Sequence, residues 1–210
     1  MSFFSDISAI QNIVYIFSSI LFISGIKMLG KEDTAVRGNF LSASAMFIAV
    51  AVTIINVVNP IIVLIGVSIG AVIGSLIALR VKMTSIPEMV ALFNGFGGLA
   101  TFFIAWSEFN AIPDNVFQFI VIMLTTYIGG VTFSGSIIAY GKLSEKLKVK
   151  KDSFVTKIFT TFFYASILFL VYSIGFTEII ELPINFYTVL LILTLLGGIG
   201  FVIPIGGGDM

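Results

Sequence analysis

The sequence contains no cysteine and no histidine, and only 10% of its 210 residues are charged. Without cysteine, disulfides, thiol catalysis and cysteine-ligated metal clusters are excluded. Without histidine, the chain lacks the one side chain that titrates near neutral pH without help from its surroundings. The net charge is zero, and the 11 basic residues are too few and too scattered for a nucleic-acid-binding surface, so no nucleic-acid partner is expected.

Apolar residues, in contrast, make up 58% of the chain, and the mean hydropathy is +1.14. A soluble domain of this length needs far more polar surface. Several apolar stretches approach or exceed the roughly 18–20 residues that cross a hydrocarbon core of about 30 Å. The sequence therefore predicts an integral membrane protein. The N-terminus, MSFFSDISAIQN, lacks a basic region and a small-residue cleavage site, so we expect mature sequence there.

The apolar stretches predict an all-α fold, a polytopic bundle of about seven transmembrane helices that forms one transmembrane domain over residues 1–210. The predicted spans are about 9–28, 40–58, 61–79, 86–106, 116–140, 154–174 and 184–203.

The basic residues support this helix count, because all of them fall in or beside the first, third and fifth connections between spans. They are Lys27, Lys31, Arg37, Arg80, Lys82, Lys142, Lys146, Lys148, Lys150, Lys151 and Lys157. A different number of helices would scramble this pattern. The positive-inside rule then predicts an N-terminus outside and a C-terminus inside.

Small residues at helical spacing predict close packing between helices. Gly66, Gly70 and Gly74 lie four apart on one face of the third helix, and Gly98 and Gly129 are further packing positions.

The fifth helix carries a polar stripe on one face. Its members are Thr125, Gly129, Thr132, Ser136 and Tyr140. Hydroxyl groups in membrane helices often bond to carbonyls of their own helix, so the stripe indicates either a pathway or simple packing.

The segment TSIPEMVALFNGFGGLA, residues 84–100, begins with a predicted capping box. Ser85 is expected to cap the fourth helix, with Glu88 reaching back from the third helical position and Pro87 in the first turn.

Asn94 lies nine residues into this helix, about 13 Å deep and close to the bilayer midplane. An amide at that depth costs several kcal/mol unless it is hydrogen-bonded, so it is expected to face protein or water. Thr132 lies at a similar depth in the fifth helix. We therefore predict that Asn94 faces the stretch from Thr132 to Ser136 across a small interhelical space, for structure or for transport.

No carboxylate, histidine or lysine lies near the midplane of the predicted spans, so a proton pathway must use water, hydroxyl groups or a residue of a partner. The sequence also lacks a dinucleotide-binding glycine motif, a Walker motif and a metal-ligand cluster.

Three stretches resemble the membrane part of the beta subunit of proton-translocating NAD(P) transhydrogenase. They are IGAVIGSLIALRVKMTSIPEMVALFNGFGGLA (69–100), GGVTFSGSIIAYGKL (129–143) and PIGGGDM (204–210). Their order, spacing and seven-span topology agree over essentially the whole chain. The resemblance implies an oxidoreductase subunit in which inward proton translocation is coupled to hydride transfer from NADH to NADP. The membrane part moves protons and does no redox chemistry.

The resemblance also implies roles for individual residues. Asn94 stands where some members have a histidine in the proton channel, and Ser136 matches a hydroxyl facing the same channel, with Thr132 beside it. Glu88 matches the glutamate of the family's PE dipeptide. Asp209 matches an acidic residue close to the NADP(H)-binding domain. Both carboxylates are therefore expected at a coupling interface.

The resemblance implies no cofactor in this chain, with NADP(H) and NAD(H) bound by other domains of a complex. One expected partner is the alpha subunit, which contributes an NAD-binding domain and membrane helices, one of them with a histidine next to Asn94. The other is the rest of the beta subunit, with its remaining membrane helices and the NADP-binding domain. A homodimer of whole enzymes in a bacterial plasma (inner) membrane is expected. Because the family continues beyond GGGDM, the chain is expected to be a truncated piece or part of a split subunit, inactive alone.

Two alternatives stay open. In the first, the chain is a small transporter or channel that binds substrate near Asn94 and Thr132. In the second, it is a scaffold subunit that transports nothing.

Overall fold

The computed structural model describes residues 2–55, 57, 59–110, 115–148, 153–175 and 184–205, and every regular element within them is helical. The seven α-helices are α1 Ser2–Leu29, α2 Glu32–Ile54, α3 Pro60–Arg80, α4 Ile86–Asn110, α5 Val116–Leu143, α6 Phe154–Gly175 and α7 Ile184–Val202. The predicted all-α architecture and the number of helices are confirmed.

Six of these helices, α1 to α6, are long and apolar enough to cross a membrane. Helix α7 has 19 residues and is the shortest. Large apolar side chains are exposed on all seven helices, as expected of surfaces that face lipid. The orientation of the termini stays a prediction.

The predicted start of the second helix is wrong. Helix α2 begins at Glu32 instead of near residue 40, so that Arg37 lies inside the helix and not in a connection. The acidic side chains Glu32 and Asp33 occupy its first turn, where they stabilise the positive end of the helix dipole. The hydroxyl of Thr34 donates to the carbonyl of Met28 at 2.7 Å and satisfies one of the free carbonyls at the end of α1.

The chain divides into two compact units, and the first comprises Met1–Leu79. Within it, α1 and α2 form a hairpin that is tightest at Gly25 and Gly38. A methyl group built on Gly38 would lie 2.7 Å from the carbonyl oxygen of Gly25, so the two backbones touch. Tyr15 and Thr53 share a hydrogen bond of 3.1 Å between their hydroxyls near the other end of the hairpin.

Helix α3 has no buried residue among those the structure describes. A methyl group built on Gly66, Gly70 or Gly74 would meet no described atom within 4 Å. The role of these glycines in helix packing therefore stays a prediction.

The second unit, Arg80–Met210, is built around α5, which packs against both α4 and α7. Helices α4 and α5 cross at two glycines. A methyl group on Gly98 would lie 2.7 Å from the backbone nitrogen of Phe133, and one on Gly129 would lie 2.7 Å from that of Phe102. Only glycine permits this approach, so the predicted packing positions Gly98 and Gly129 do meet a neighbouring helix.

The apolar core of the second unit lies between α5, α6 and α7. Its buried side chains are Ile122, Met123, Leu170, Tyr187 and Leu190.

The capping box predicted at the start of α4 is wrong in its first residue. Ser85 belongs to a 3₁₀ turn, Met83–Ser85, that runs directly into α4, and its backbone N–H donates to the carbonyl of Lys82. An N-cap residue needs extended backbone, which a residue inside a 3₁₀ turn does not have. Glu88 does lie in the first turn of α4, where its charge suits the helix dipole.

The glycine crossing leads to a first prediction. Gly98→Ala is expected to lower the free energy of unfolding by about 1–3 kcal/mol, because the new methyl group overlaps Phe133 and Thr132. Its neighbour Gly97 has open space around it, so Gly97→Ala is expected to be neutral or stabilising by up to about 1 kcal/mol. Unfolding of the two variants in mixed detergent micelles measures the difference, and equal destabilisation would contradict the crossing.

Candidate functional site

The candidate site lies where α4 and α5 continue from the glycine crossing towards the N-terminal end of α4. The side-chain amide of Asn94 on α4 donates from Nδ2 to the hydroxyl oxygen of Ser136 on α5 at 2.9 Å. Ser136 is buried, and Gly95 leaves room for it, since a methyl group on Gly95 would lie 3.1 Å from the Ser136 Cβ. The structure therefore brings together two polar residues that lie 42 positions apart in the chain.

A cavity of about 450 Å³ adjoins this hydrogen bond. Its walls are Phe93, Asn94, Gly97, Gly98, Thr101, Ile128, Gly129 and Thr132. Asn94 and Gly97 are exposed, so the cavity opens at the surface of the chain. Thr132 faces the same space as Asn94, in the arrangement expected from their similar depths. An amide that faces the opening of a cavity between two membrane helices needs protein or water to cover it.

All eight wall residues are uncharged and none titrates near neutral pH. The amide of Asn94 and the hydroxyls of Thr101 and Thr132 supply donors and acceptors without a net charge. In chemical terms, the cavity is suited to holding water or a polar side chain from another helix, and none of the described residues in its wall is a proton-binding group.

The polar stripe of α5 divides into two kinds of residue. Thr125 donates to the carbonyl of Val121 in its own helix at 2.7 Å, as a packing residue would. Ser136 instead forms a bond across the helix interface, and Thr132 lines the cavity.

Two further predicted site residues, Glu88 and Asp209, were assigned to a coupling interface. Glu88 does not line the cavity. Asp209 lies outside the residues that the structure describes, so its expected position at a coupling interface stays a prediction, as does that of Glu88.

Sequence reasoning did not predict the burial of Lys142. This side chain, counted in or beside the fifth connection, lies in the last turn of α5, is only 9% exposed, and donates to backbone carbonyls at the end of α7. A second buried contact, a hydrogen bond of 2.7 Å between the hydroxyls of Thr126 and Tyr187, was also missed. Neither contact has a signal in the sequence, because both partners lie about 60 residues away.

The model of a protein family described as NAD(P) transhydrogenase beta subunit matches residues 11–210 of the chain. The chain belongs to this family. Together with its six long apolar helices, the family membership makes it an integral, multi-pass membrane protein.

Two sequences from Rhodospirillum rubrum, each named NAD(P) transhydrogenase subunit beta, are 30% identical to the chain over 151 residues. The match covers 67% of this chain and 32% of each relative. The chain therefore spans about a third of the length of the relatives that it matches.

The hydrogen bond between Asn94 and Ser136 leads to a second prediction. Asn94→Leu and Ser136→Ala, combined in a double-mutant cycle, are expected to show a coupling free energy of about 0.6 kcal/mol, which is typical of hydrogen bonds between membrane helices. Unfolding in mixed micelles supplies the four free energies. The matched control pairs Asn94→Leu with Thr125→Val, which is expected to be additive because Thr125 bonds within its own helix. Additivity in both cycles would contradict the interhelical bond.

Proposed function

We propose that the chain forms part of the proton pathway of a transhydrogenase in which proton translocation is coupled to hydride transfer from NADH to NADP. The observation that supports this proposal is the hydrogen bond from Asn94 to Ser136 at the edge of a neutral polar cavity between two membrane helices. In this proposal Asn94, Ser136 and Thr132 hold and orient water or a partner's side chain along the pathway. No residue of the chain takes part in the hydride transfer.

The absence of a titratable side chain in the cavity wall determines what the partners must supply. A net charge in a low-dielectric site is costly unless it is hydrogen-bonded or paired. The excess proton therefore resides on water or on a titratable group that another helix places against Asn94. We propose that this group is a histidine on a membrane helix of the alpha subunit, placed so that it covers the open side of the cavity.

The nucleotides are proposed to bind outside this chain, NAD(H) on the alpha subunit and NADP(H) on the domain that follows the membrane helices in the beta subunit. Glu88 and Asp209 are proposed to lie at the surface that faces this domain. The proposed assembly is a homodimer of whole enzymes in a bacterial plasma membrane, and the chain alone is expected to be inactive.

A third prediction tests the proton pathway. The chain is co-expressed with its transhydrogenase partners, and acidification of inverted membrane vesicles is followed after addition of NADPH and NAD. Asn94→Leu is expected to reduce the initial rate of acidification by about tenfold or more, since the loss of one hydrogen-bonding group from a site covered by a partner helix costs roughly 1–3 kcal/mol. Assembly of each variant is measured by co-purification of the alpha subunit.

The matched control for this experiment is Asn110→Leu. Asn110 ends the same helix, and its amide donates to the carbonyl of Trp106 within α4, so the substitution changes the same chemistry outside the cavity. Equal pumping by the two variants at equal assembly would make Asn94 a packing residue. A fully assembled wild type that does not pump would contradict the proposed function and support a scaffold.

A further inference from the structure

Lys142 is the one basic side chain that is buried among the residues described. It lies in the last turn of α5, and its Nζ donates to the carbonyl oxygens of Val202, Ile203 and Ile205 at 3.0, 2.5 and 2.5 Å. The last carbonyls of a helix have no partners within that helix, and the C-terminal end of its dipole is negative. The ammonium group of α5 therefore caps the end of α7.

The three bonds use the full capacity of the ammonium group. A lysine has three N–H donors and no acceptor, and here each donor can meet one carbonyl. Charge-assisted hydrogen bonds are stronger than neutral ones, and a buried ammonium that lost its partners would be left unpaired in a low-dielectric site. The ends of α5 and α7 are therefore held together, with no capacity left for a ligand.

A second directional contact joins the same two helices at the other end of the unit. Thr126 on α5 and Tyr187 on α7 are both buried, and their hydroxyls lie 2.7 Å apart. Thr126 precedes Lys142 by 16 positions, which is about 24 Å along the helix. Between these points, α5 meets α7 through close contacts of glycines, such as Gly130 beside Thr194 and Gly198 beside Ser134. The two polar contacts thus set the axial position of α5 against α7.

The backbone that follows Lys142 is also held in place. Glu145 adopts a left-handed conformation with φ of 56°, which is unfavourable for a residue with a Cβ atom. This conformation turns the chain back, so that the N–H of Leu147 donates to the carbonyl of Gly141 at 2.7 Å. The end of α5 is thus closed in a defined conformation next to the ammonium group.

We propose that Lys142 is a positioning residue for the site formed by Asn94, Ser136 and Thr132. Ser136 precedes Lys142 by six positions, about 9 Å along α5. Displacing α5 along its axis by two residue rises, about 3 Å, would lengthen the 2.9 Å bond from Asn94 to about 4.2 Å, beyond hydrogen-bond distance. Movement at the end of α7 therefore either carries α5 and Ser136 with it or breaks the bonds of Lys142. This proposal rests on the proposed function.

The fourth prediction tests Lys142 in the assembled enzyme. Lys142→Met nearly keeps the length of the side chain and removes all three donors. We expect it to reduce the number of protons moved per hydride transferred by about tenfold or more, because the loss of even one charge-assisted bond lowers the population of the correctly positioned helix by about that factor. A residue that only stabilises the fold would lower the amount of assembled enzyme and leave this ratio unchanged. Lys142→Arg retains the charge and donors and is expected to restore most of the ratio.

Lys148→Met is the matched control, because Lys148 is an exposed lysine near the same end of α5. Its ratio of protons to hydrides is expected to equal that of the wild type. An unchanged ratio in Lys142→Met, with Asn94→Leu impaired in the same assay, would overturn the role of Lys142 and leave the proposed function intact. Normal pumping by Asn94→Leu would instead overturn the proposed function.

A labelling experiment tests the contact without requiring assembly or activity. The chain has no cysteine, so Ile205→Cys introduces a single site for a maleimide at the end of α7. Adding Lys142→Met is expected to raise the labelling rate in membranes by about tenfold, because the segment is no longer held by charge-assisted bonds. An unchanged labelling rate would overturn the proposal.

Discussion

The close crossing of α4 and α5 is the contact on which the candidate site depends. With Gly98 and Gly129 at the crossing, the two backbones touch, and the register of the antiparallel pair then follows from the helical repeat. Moving along α4 by one turn reaches Gly95 and Asn94, while moving along α5 in the opposite sense reaches Ser136. A side chain at either glycine would push the two helices apart at the crossing and strain the bond between Asn94 and Ser136. The polar contact is therefore a consequence of apolar packing.

The number and type of the helices were predictable because runs of about 20 apolar residues have few other stable conformations in a membrane. Helix ends were less predictable, because they depend on local polar contacts. The start of α2 at Glu32 reflects charges that favour a helix N-terminus even outside an apolar run. Ser85 and Glu88 match the capping pattern, yet a 3₁₀ turn places Ser85 inside the helical backbone. Pattern matching registers residue types and not the preceding backbone conformation.

The candidate site was predictable in part. Depth in the membrane follows from position in a helix, so Asn94 and Thr132 were expected at one level, and the structure places both at one cavity. The partner of a glycine is not encoded in its spacing, so Gly66 and Gly98 look alike in the sequence, although of the two only Gly98 has a described neighbour within 4 Å. The burial of Lys142 could not be predicted for a related reason. A lysine near a helix end is usually solvated, and its burial here depends on carbonyls of α7 that the local sequence does not reveal.

The neutrality of the cavity has a physical consequence for a proton pathway. A fixed carboxylate or ammonium in a low-dielectric space would bind or repel an excess proton strongly and favour one charge state. An amide and a hydroxyl can each donate or accept a hydrogen bond. Ser136 accepts from Asn94 and retains its own proton to donate. Such a wall can orient water or a titratable group through both charge states. Because Asn94 is exposed at the open side of the cavity, the cavity becomes enclosed only when another element covers it. In the proposed pathway the α4–α5 pair provides the polar wall, and the titratable group comes from the element that covers it.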